Sequence, residues 1–218
     1  MKLKELHTKL YHHLDDQSKN WNSFIYAQEK GFYQGFEEIK VDGCRPTEKR
    51  FKDYDIKKYL SKNKTVLDIG CNCGFFSLYT SRFVKQVNGV EINPHLIAIA
   101  NDTQEYMDIK NVKFHTSSFE NFVSTENVDI ILSFANDSTI DGNTKFNFTE
   151  YIEKILSLLA PEGLLIFESQ ALDNIPPTKF MPKLEFLKTK FSILENRKVF
   201  SEYPINIPER IFLILQKR

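Results

Sequence analysis

The segment Val66-Leu67-Asp68-Ile69-Gly70-Cys71-Asn72-Cys73-Gly74-Phe75-Phe76 constrains the fold of this chain more than any other stretch. A short apolar run closed by an acid and a glycine reads as a buried parallel strand, which is covered on both faces. Gly70 and Gly74 bracket a turn into a helix, where glycine lets the backbone come close to a ligand. The spacing is not the G-x-G-x-x-G of a dinucleotide site, and no Lys-Ser/Thr pair closes it as in a P-loop. Asp68 at the strand end would oppose a pyrophosphate. It suits a ligand with an ammonium group and no phosphate.

Around this segment the pattern alternates. Strands are predicted at residues 65–69, 87–92, 112–116, 128–134 and 164–167, with helices at 75–83 and from Pro94 to about residue 109. Asn147 with Glu150 three residues on fits a capping box, and a helical stripe follows until Pro161-Glu162-Gly163. A further helix is expected around Leu184. Two last strands, 191–194 and 210–216, flank a loop holding Pro204 and Pro208. Alternating strands and helices mean an α/β fold with a mostly parallel sheet covered on both faces. The final pair predicts an antiparallel edge. Residues 1–56 read as a separate helical, aromatic-rich extension: Leu3, Leu6, Leu10 and Leu14 share a helical face, and Trp21, Phe24, Tyr26, Phe32, Tyr33 and Phe36 follow. Residues 57–218 form the core.

Composition removes several function classes. Lys and Arg number 29, as do Asp and Glu, so there is no basic excess for wrapping nucleic acid, which is disfavoured as a partner. At 41% hydrophobic residues, 19 of them Phe, the chain has a sizeable core and is not disordered. No apolar stretch approaches the ~18 residues of a spanning helix, and Met1-Lys2-Leu3-Lys4-Glu5 leads into no signal-like run, so no membrane partner is expected. Cys44, Cys71 and Cys73 form neither a disulfide framework nor a zinc motif. A cytoplasmic, reducing setting follows, with Cys71 and Cys73 as small buried turn residues.

Glu91 ends the second strand, 23 residues beyond Asp68 (91 − 68). An acid ~20 residues on is where a ribose hydroxyl pair is held. A ribose, an ammonium and no phosphate describe S-adenosylmethionine. The chain resembles the class I S-adenosylmethionine-dependent methyltransferases over residues 57–218, through Leu67-Asp68-Ile69-Gly70 with Gly74, through Val90-Glu91, and through Leu159-Ala160-Pro161-Glu162-Gly163 leading into Leu164-Leu165-Ile166-Phe167. The resemblance implies a Rossmann-like sheet of seven strands, the last antiparallel, with S-adenosylmethionine as cofactor. It places the methionine end at Asp68, Gly70, Cys71, Asn72, Gly74 and Phe75, and the ribose at Glu91. It puts adenine against Ile92 and the Ser118-Phe119 segment, and counts Ser133 among the cofactor positions. Asn72 stands where the family has a middle glycine, and Ser118 where it has an acid.

The same resemblance sets the acceptor beyond the ends of the fourth and fifth strands, at Asn136-Asp137 and Glu168. A hydroxyl acceptor must lose a proton, so Asp137 and Glu168 are base candidates with Asn136 beside them, or a pair around a divalent cation. The Asn/Asp-Pro-Pro-aromatic pattern of the amino-methylating members is absent. Arg45 and Arg50, ahead of the core, are expected to anchor an anionic acceptor through a planar fork. The function expected is O-methylation of a small polar metabolite, a sugar or a nucleotide-activated or phosphorylated compound. A tRNA or rRNA methyltransferase, or a non-catalytic adenosylmethionine-binding subunit, are the alternatives.

Overall fold

The computed structural model describes residues 1–27, 31–138, 141–170, 177–201 and 209–218. The extension opens with helix α1 (Leu3–Asn20), which buries Leu6 and Leu10 completely. Lys9 and His13, at the edge of that buried face, both reach Asp102 at 2.8 Å. The aromatic stretch that follows is not helical. It forms two short parallel strands, β1 (Phe32–Gly35) and β2 (Gly43–Pro46), before helix α2 (Thr47–Tyr54). Glycine makes the difference, since a Cβ on Gly43 would lie 2.3 Å from the Gln34 backbone. Phe32 and Phe36 rest on Phe75, with ring centroids 6.2 and 5.4 Å apart, so the extension and the core share one apolar cluster.

The core runs β3 (Thr65–Ile69), α3 (Phe75–Thr80), β4 (Gln86–Glu91), α4 (Pro94–Tyr106), β5 (Val112–Thr116), β6 (Val128–Phe134), α5 (Phe148–Leu158), β7 (Leu159–Glu168), α6 (Met181–Lys190), β8 (Phe191–Phe200) and β9 (Glu209–Lys217). These strands make one sheet in the order β5-β4-β3-β6-β7-β9-β8. The first five are parallel, and β9 is antiparallel to both of its neighbours. This is the Rossmann-like seven-stranded architecture expected. Side chains alternate as a pleated sheet requires. Val66, Ile130, Leu132 and Ile166 enter the cluster under α2 and α3, while Leu67, Ile131, Leu165 and Phe167 enter the one with α5 and α6.

Several boundaries differ from expectation. β7 starts at Leu159 and passes through Pro161-Glu162-Gly163, with Glu162 left-handed at φ 58°, so the expected turn is an irregularity inside a longer strand. β8 continues to Phe200. The Pro204 and Pro208 loop lies outside the described residues. The capping box forms as read: Glu150 N–H donates to the Asn147 side chain at 3.0 Å, and Asn147 N–H to Glu150 at 2.9 Å.

A buried ion cluster joins the extension to the far half of the sheet. Glu168, at the end of β7, is fully buried and accepts from Arg45 at 2.7 Å and from the Tyr54 hydroxyl at 2.5 Å. Arg210 Nε on β9 lies 3.2 Å away. Burial opposes the charge on Glu168. The Arg45 and Arg210 guanidiniums and the hydrogen bonds from Arg45 and Tyr54 outweigh it and hold the carboxyl below its ordinary value. The stabilisation is therefore complete at neutral pH and fades on acidification below the ordinary carboxylate range. Arg45→Met should destabilise the protein by ~3 kcal/mol, the low end for a broken buried pair because Arg210 remains. Tyr54→Phe should remove about 1.5–3 kcal/mol, the range for a bond to a charged group. Denaturant unfolding at neutral pH measures both.

Candidate active site

The glycine turn is built by close contacts. Gly70, Asn72 and Gly74 are all left-handed, at φ 62°, 55° and 70°. A Cβ on Gly70 would fall 2.3 Å from Asn136 Oδ1, and one on Gly74 2.7 Å from the Ala100 Cβ. Asn at 72 is the non-glycine residue that best tolerates this conformation, which is how the turn survives without its middle glycine. Gln34 of β1 braces the turn with both ends of its amide: Nε2 donates to the Cys71 carbonyl at 3.2 Å, and Phe75 N–H donates to Oε1 at 3.1 Å. Cys71 and Cys73 are buried free thiols, and burial pushes both up.

Glu91 is 4% exposed and receives the backbone N–H of Asn93 at 3.0 Å and of Asn72 at 3.2 Å. Burial pushes its carboxyl up to about 7 against these hydrogen bonds, with Asp141 adding to the rise. Asp68 accepts from the Ser77 hydroxyl at 2.6 Å. Burial raises it to about 6, while Ser77 and the Arg50 charge pull it down. Glu91, Ile92 and Asn72 line one side of a cleft enclosing about 370 Å³, counting its part open to solvent. Trp21, Phe24, Tyr26 and Tyr33 of the extension line the other.

Three expected cofactor positions are engaged elsewhere. Ser133 is fully buried, its hydroxyl 2.8 Å from that of Tyr151 on α5. Phe119 packs its ring on Tyr151 in the core, and its N–H donates to the Asn143 carbonyl at 3.0 Å. The Ser118 side chain lies toward Glu120 and helps hold that carboxyl down.

The acceptor end is brought together, with roles redistributed. Asn136 caps the turn through a bond to the Ile69 carbonyl. Asp137 is 2% exposed, with Lys183 of α6 at 2.5 Å. Glu168 and Arg45 hold each other, so neither stands as the free base or the free anion anchor expected; a carboxyl held down by two guanidiniums is a weak proton acceptor. Asp137 and Glu168 each have their own cation and do not form a carboxylate pair. Arg50 lies 7% exposed with its guanidinium 4.8 Å from the Phe76 ring.

Gln34, Tyr54 and Lys183 escaped the sequence reading. Their partners lie 37 to 114 residues away, and no local spacing marks them.

An adenosyl ligand fits this site. Asn72 Oδ1 and the Trp21 indole N–H are buried without a partner among the described residues, and both residues line the cleft beside Glu91. A ribose and a polar base are ligands able to satisfy such groups. The sheet order, the glycine turn and the buried acid together define a class I S-adenosylmethionine-dependent methyltransferase. The chain belongs to the methyltransferase-domain family, which matches it over residues 60–201.

Among relatives, a 23S rRNA (uracil(1939)-C(5))-methyltransferase of Francisella tularensis subsp. novicida is 35% identical over 68 residues, 31% of this chain but only 15% of that protein's length. A candidate protein N5-glutamine methyltransferase of Methanocaldococcus jannaschii is 24% identical over 61% of this chain and 79% of its own. Among solved structures, the N-methyltransferase NodS from Bradyrhizobium japonicum in complex with S-adenosyl-L-homocysteine superposes with a TM-score of 0.65 at 14% identity, covering 97% of this chain and 98% of that one.

S-adenosylmethionine is the cofactor, and it supplies a methyl group on a sulfonium. A charged Glu91 would accept from the ribose hydroxyls, so binding would draw on the ionised form. Affinity for S-adenosylhomocysteine should weaken about tenfold per pH unit below 7 and level off above it. Glu91→Gln should flatten this step near 7 in calorimetric titrations. Glu91→Ala should lower affinity about tenfold or more, through loss of charge-assisted bonds.

Proposed function

We propose that the protein methylates a hydroxyl oxygen of a small polar metabolite, a sugar or a nucleotide-activated or phosphorylated compound. The observation carrying this reading is the extension, which lays four aromatic side chains, Trp21, Phe24, Tyr26 and Tyr33, along the cleft at Glu91. A cleft walled in this way by the chain itself suits a small acceptor beside the cofactor. The equal counts of 29 basic and 29 acidic residues offer no general field for a polyanion. In this reading residues 1–56 are a lid on a methyltransferase core of residues 57–218. The three free thiols suit a reducing cytoplasm. No helix among the described residues is long and apolar enough to cross a membrane.

At the transfer end the work of the chain is positioning and water exclusion, since methyl transfer is an in-line displacement. Asp137, paired with the partly exposed Lys183 rather than with two buried guanidiniums as Glu168 is, takes the acceptor's hydroxyl proton as its oxygen attacks, and Asn136 holds the strand end against the glycine turn. The absence of Pro-Pro after Asn136 argues against glutamine or adenine nitrogen as the acceptor.

A second reading, an RNA methyltransferase, is favoured by the rRNA-directed name of one relative. Labelled S-adenosylmethionine incubated with fractionated cell metabolites and, separately, with total RNA tests the two. The expected result is label in a small polar fraction; label in RNA, with salt-sensitive binding, would replace the first reading by the second. Asp137→Ala should lower turnover by about tenfold or more while affinity for S-adenosylhomocysteine changes less than about twofold.

A further inference from the structure

Arg50 is the anomaly in this site. The other cations near it are engaged: Arg45 pairs with Glu168, and Lys49 with Asp53 at 2.7 Å. Arg50 makes no hydrogen bond and no ion pair with any described residue, and its Nε is buried without a partner. It is 7% exposed, with its guanidinium 4.8 Å from the Phe76 ring, 5.8 Å from Phe134 and 5.9 Å from Tyr54. Aromatic faces stabilise a cation but satisfy none of its N–H donors. A buried guanidinium with no anion carries a large desolvation penalty, which a protein tolerates where a ligand later supplies the charge.

Asp68 is its counterpart. This carboxylate is 3% exposed and accepts one hydrogen bond among the described residues, from Ser77, leaving acceptor capacity unused. It feels the Arg50 charge without forming an ion pair with it. Arg50 stacks on Phe76 and Asp68 accepts from Ser77, the next residue of α3, so two groups of opposite sign, each short of partners, meet the first turn of α3 just after the glycine turn.

We propose that Arg50, stacked on Phe76 beside the glycine turn, is an anion receiver that binds a carboxylate or phosphate-type oxyanion, with Asp68 at the end of β3 open to the ammonium that accompanies it in a zwitterion. Two ligands can supply the anion: the amino-acid end of the cofactor, or an acidic group on the acceptor. The first source rests on the cofactor assignment and the second on the small-acceptor reading above. Arg50 suits either because its fork offers two parallel donors while its plane stays stacked on Phe76.

The test compares S-adenosylhomocysteine with its decarboxylated analogue on the full chain, by calorimetry, in the wild type and in Arg50→Met. If the cofactor supplies the anion, the wild type prefers the carboxylate-bearing ligand by about tenfold or more and Arg50→Met reduces the preference to within about twofold. Ligand-free Arg50→Met then melts no lower than the wild type, because an unpaired buried charge has been removed. If the acceptor supplies it, both proteins keep the same preference, while acetate or inorganic phosphate raises the melting temperature of the wild type and not of the variant. Arg50→Lys, which keeps a charge in the same stack, serves if the methionine variant does not fold, with an intermediate loss expected in the same arm. An Arg50 variant with unchanged ligand preference and unchanged anion response overturns the proposal, whatever its stability. A wild type that binds neither nucleoside would strike the cofactor assignment instead, and the anion arm, run on ligand-free protein, would still decide the role of Arg50.

Discussion

Glu168 is the group on which the rest of the arrangement depends. Its carboxylate is completely buried at the end of β7, and it is held by Arg45 from β2, Tyr54 from α2 and Arg210 from β9. Charges at that depth are stable only as a satisfied set. This set draws its members from the extension, the centre of the sheet and the antiparallel strand. Arg197 on β8 adds a further tie, donating to the Asp53 carbonyl at 3.1 Å and to that of Tyr54. The extension is therefore fastened to the sheet by polar contacts at one end and by aromatic packing on Phe75 at the other. A residue that reads as a catalytic acid from its place at a strand end is here the structural junction between two parts of the molecule.

That fastening explains the form of the site. With Arg45 committed to Glu168, α2 is held so that the next arginine in the segment, Arg50, meets Phe76 and Phe134 rather than solvent. With β1 held beside the core, Gln34 can close on the glycine turn and fix the backbone that Asn72 and Glu91 share. Glu91 is in turn kept buried by the backbone donors that a left-handed Asn72 points toward it. The binding groups of the core are thus prepared by residues of the extension, and the cofactor site belongs to both.

The fold was legible in the sequence because its signals are local. Strand and helix periods, the Asn147–Glu150 box and the position of Glu91 after Asp68 all lie within short windows, and each is found where spacing placed it. The extension was misread in its middle because the leucine stripe of its first turns says nothing of the aromatic stretch after it, where Gly43 permits a backbone contact between two strands. The glycine turn and the acid that ends the next strand were legible, since both follow from local backbone geometry. The candidate site was not legible at Ser133, which falls on the same face of β6 as Ile131 and so turns to Tyr151. Nor was it legible at Glu168, whose partner Arg45 is 123 residues away. Which face a strand residue takes, and which distant charge meets it, are settled by tertiary packing.

The span of that ion cluster also orders events during synthesis. Arg45 leaves the ribosome early, but Glu168 is far downstream and Arg210 belongs to the final strand. Chains emerge N-terminus first and fold by parts as they do so. Until β9 is paired between β7 and β8, the extension is held by its contacts with α3, α4 and the glycine turn, and Arg45 has no completed partner set. The segment along the cleft is thus made before the core and locked after it. A truncation that removes β9 would take Arg210 from the Glu168 set and leave β8 with no strand to pair with.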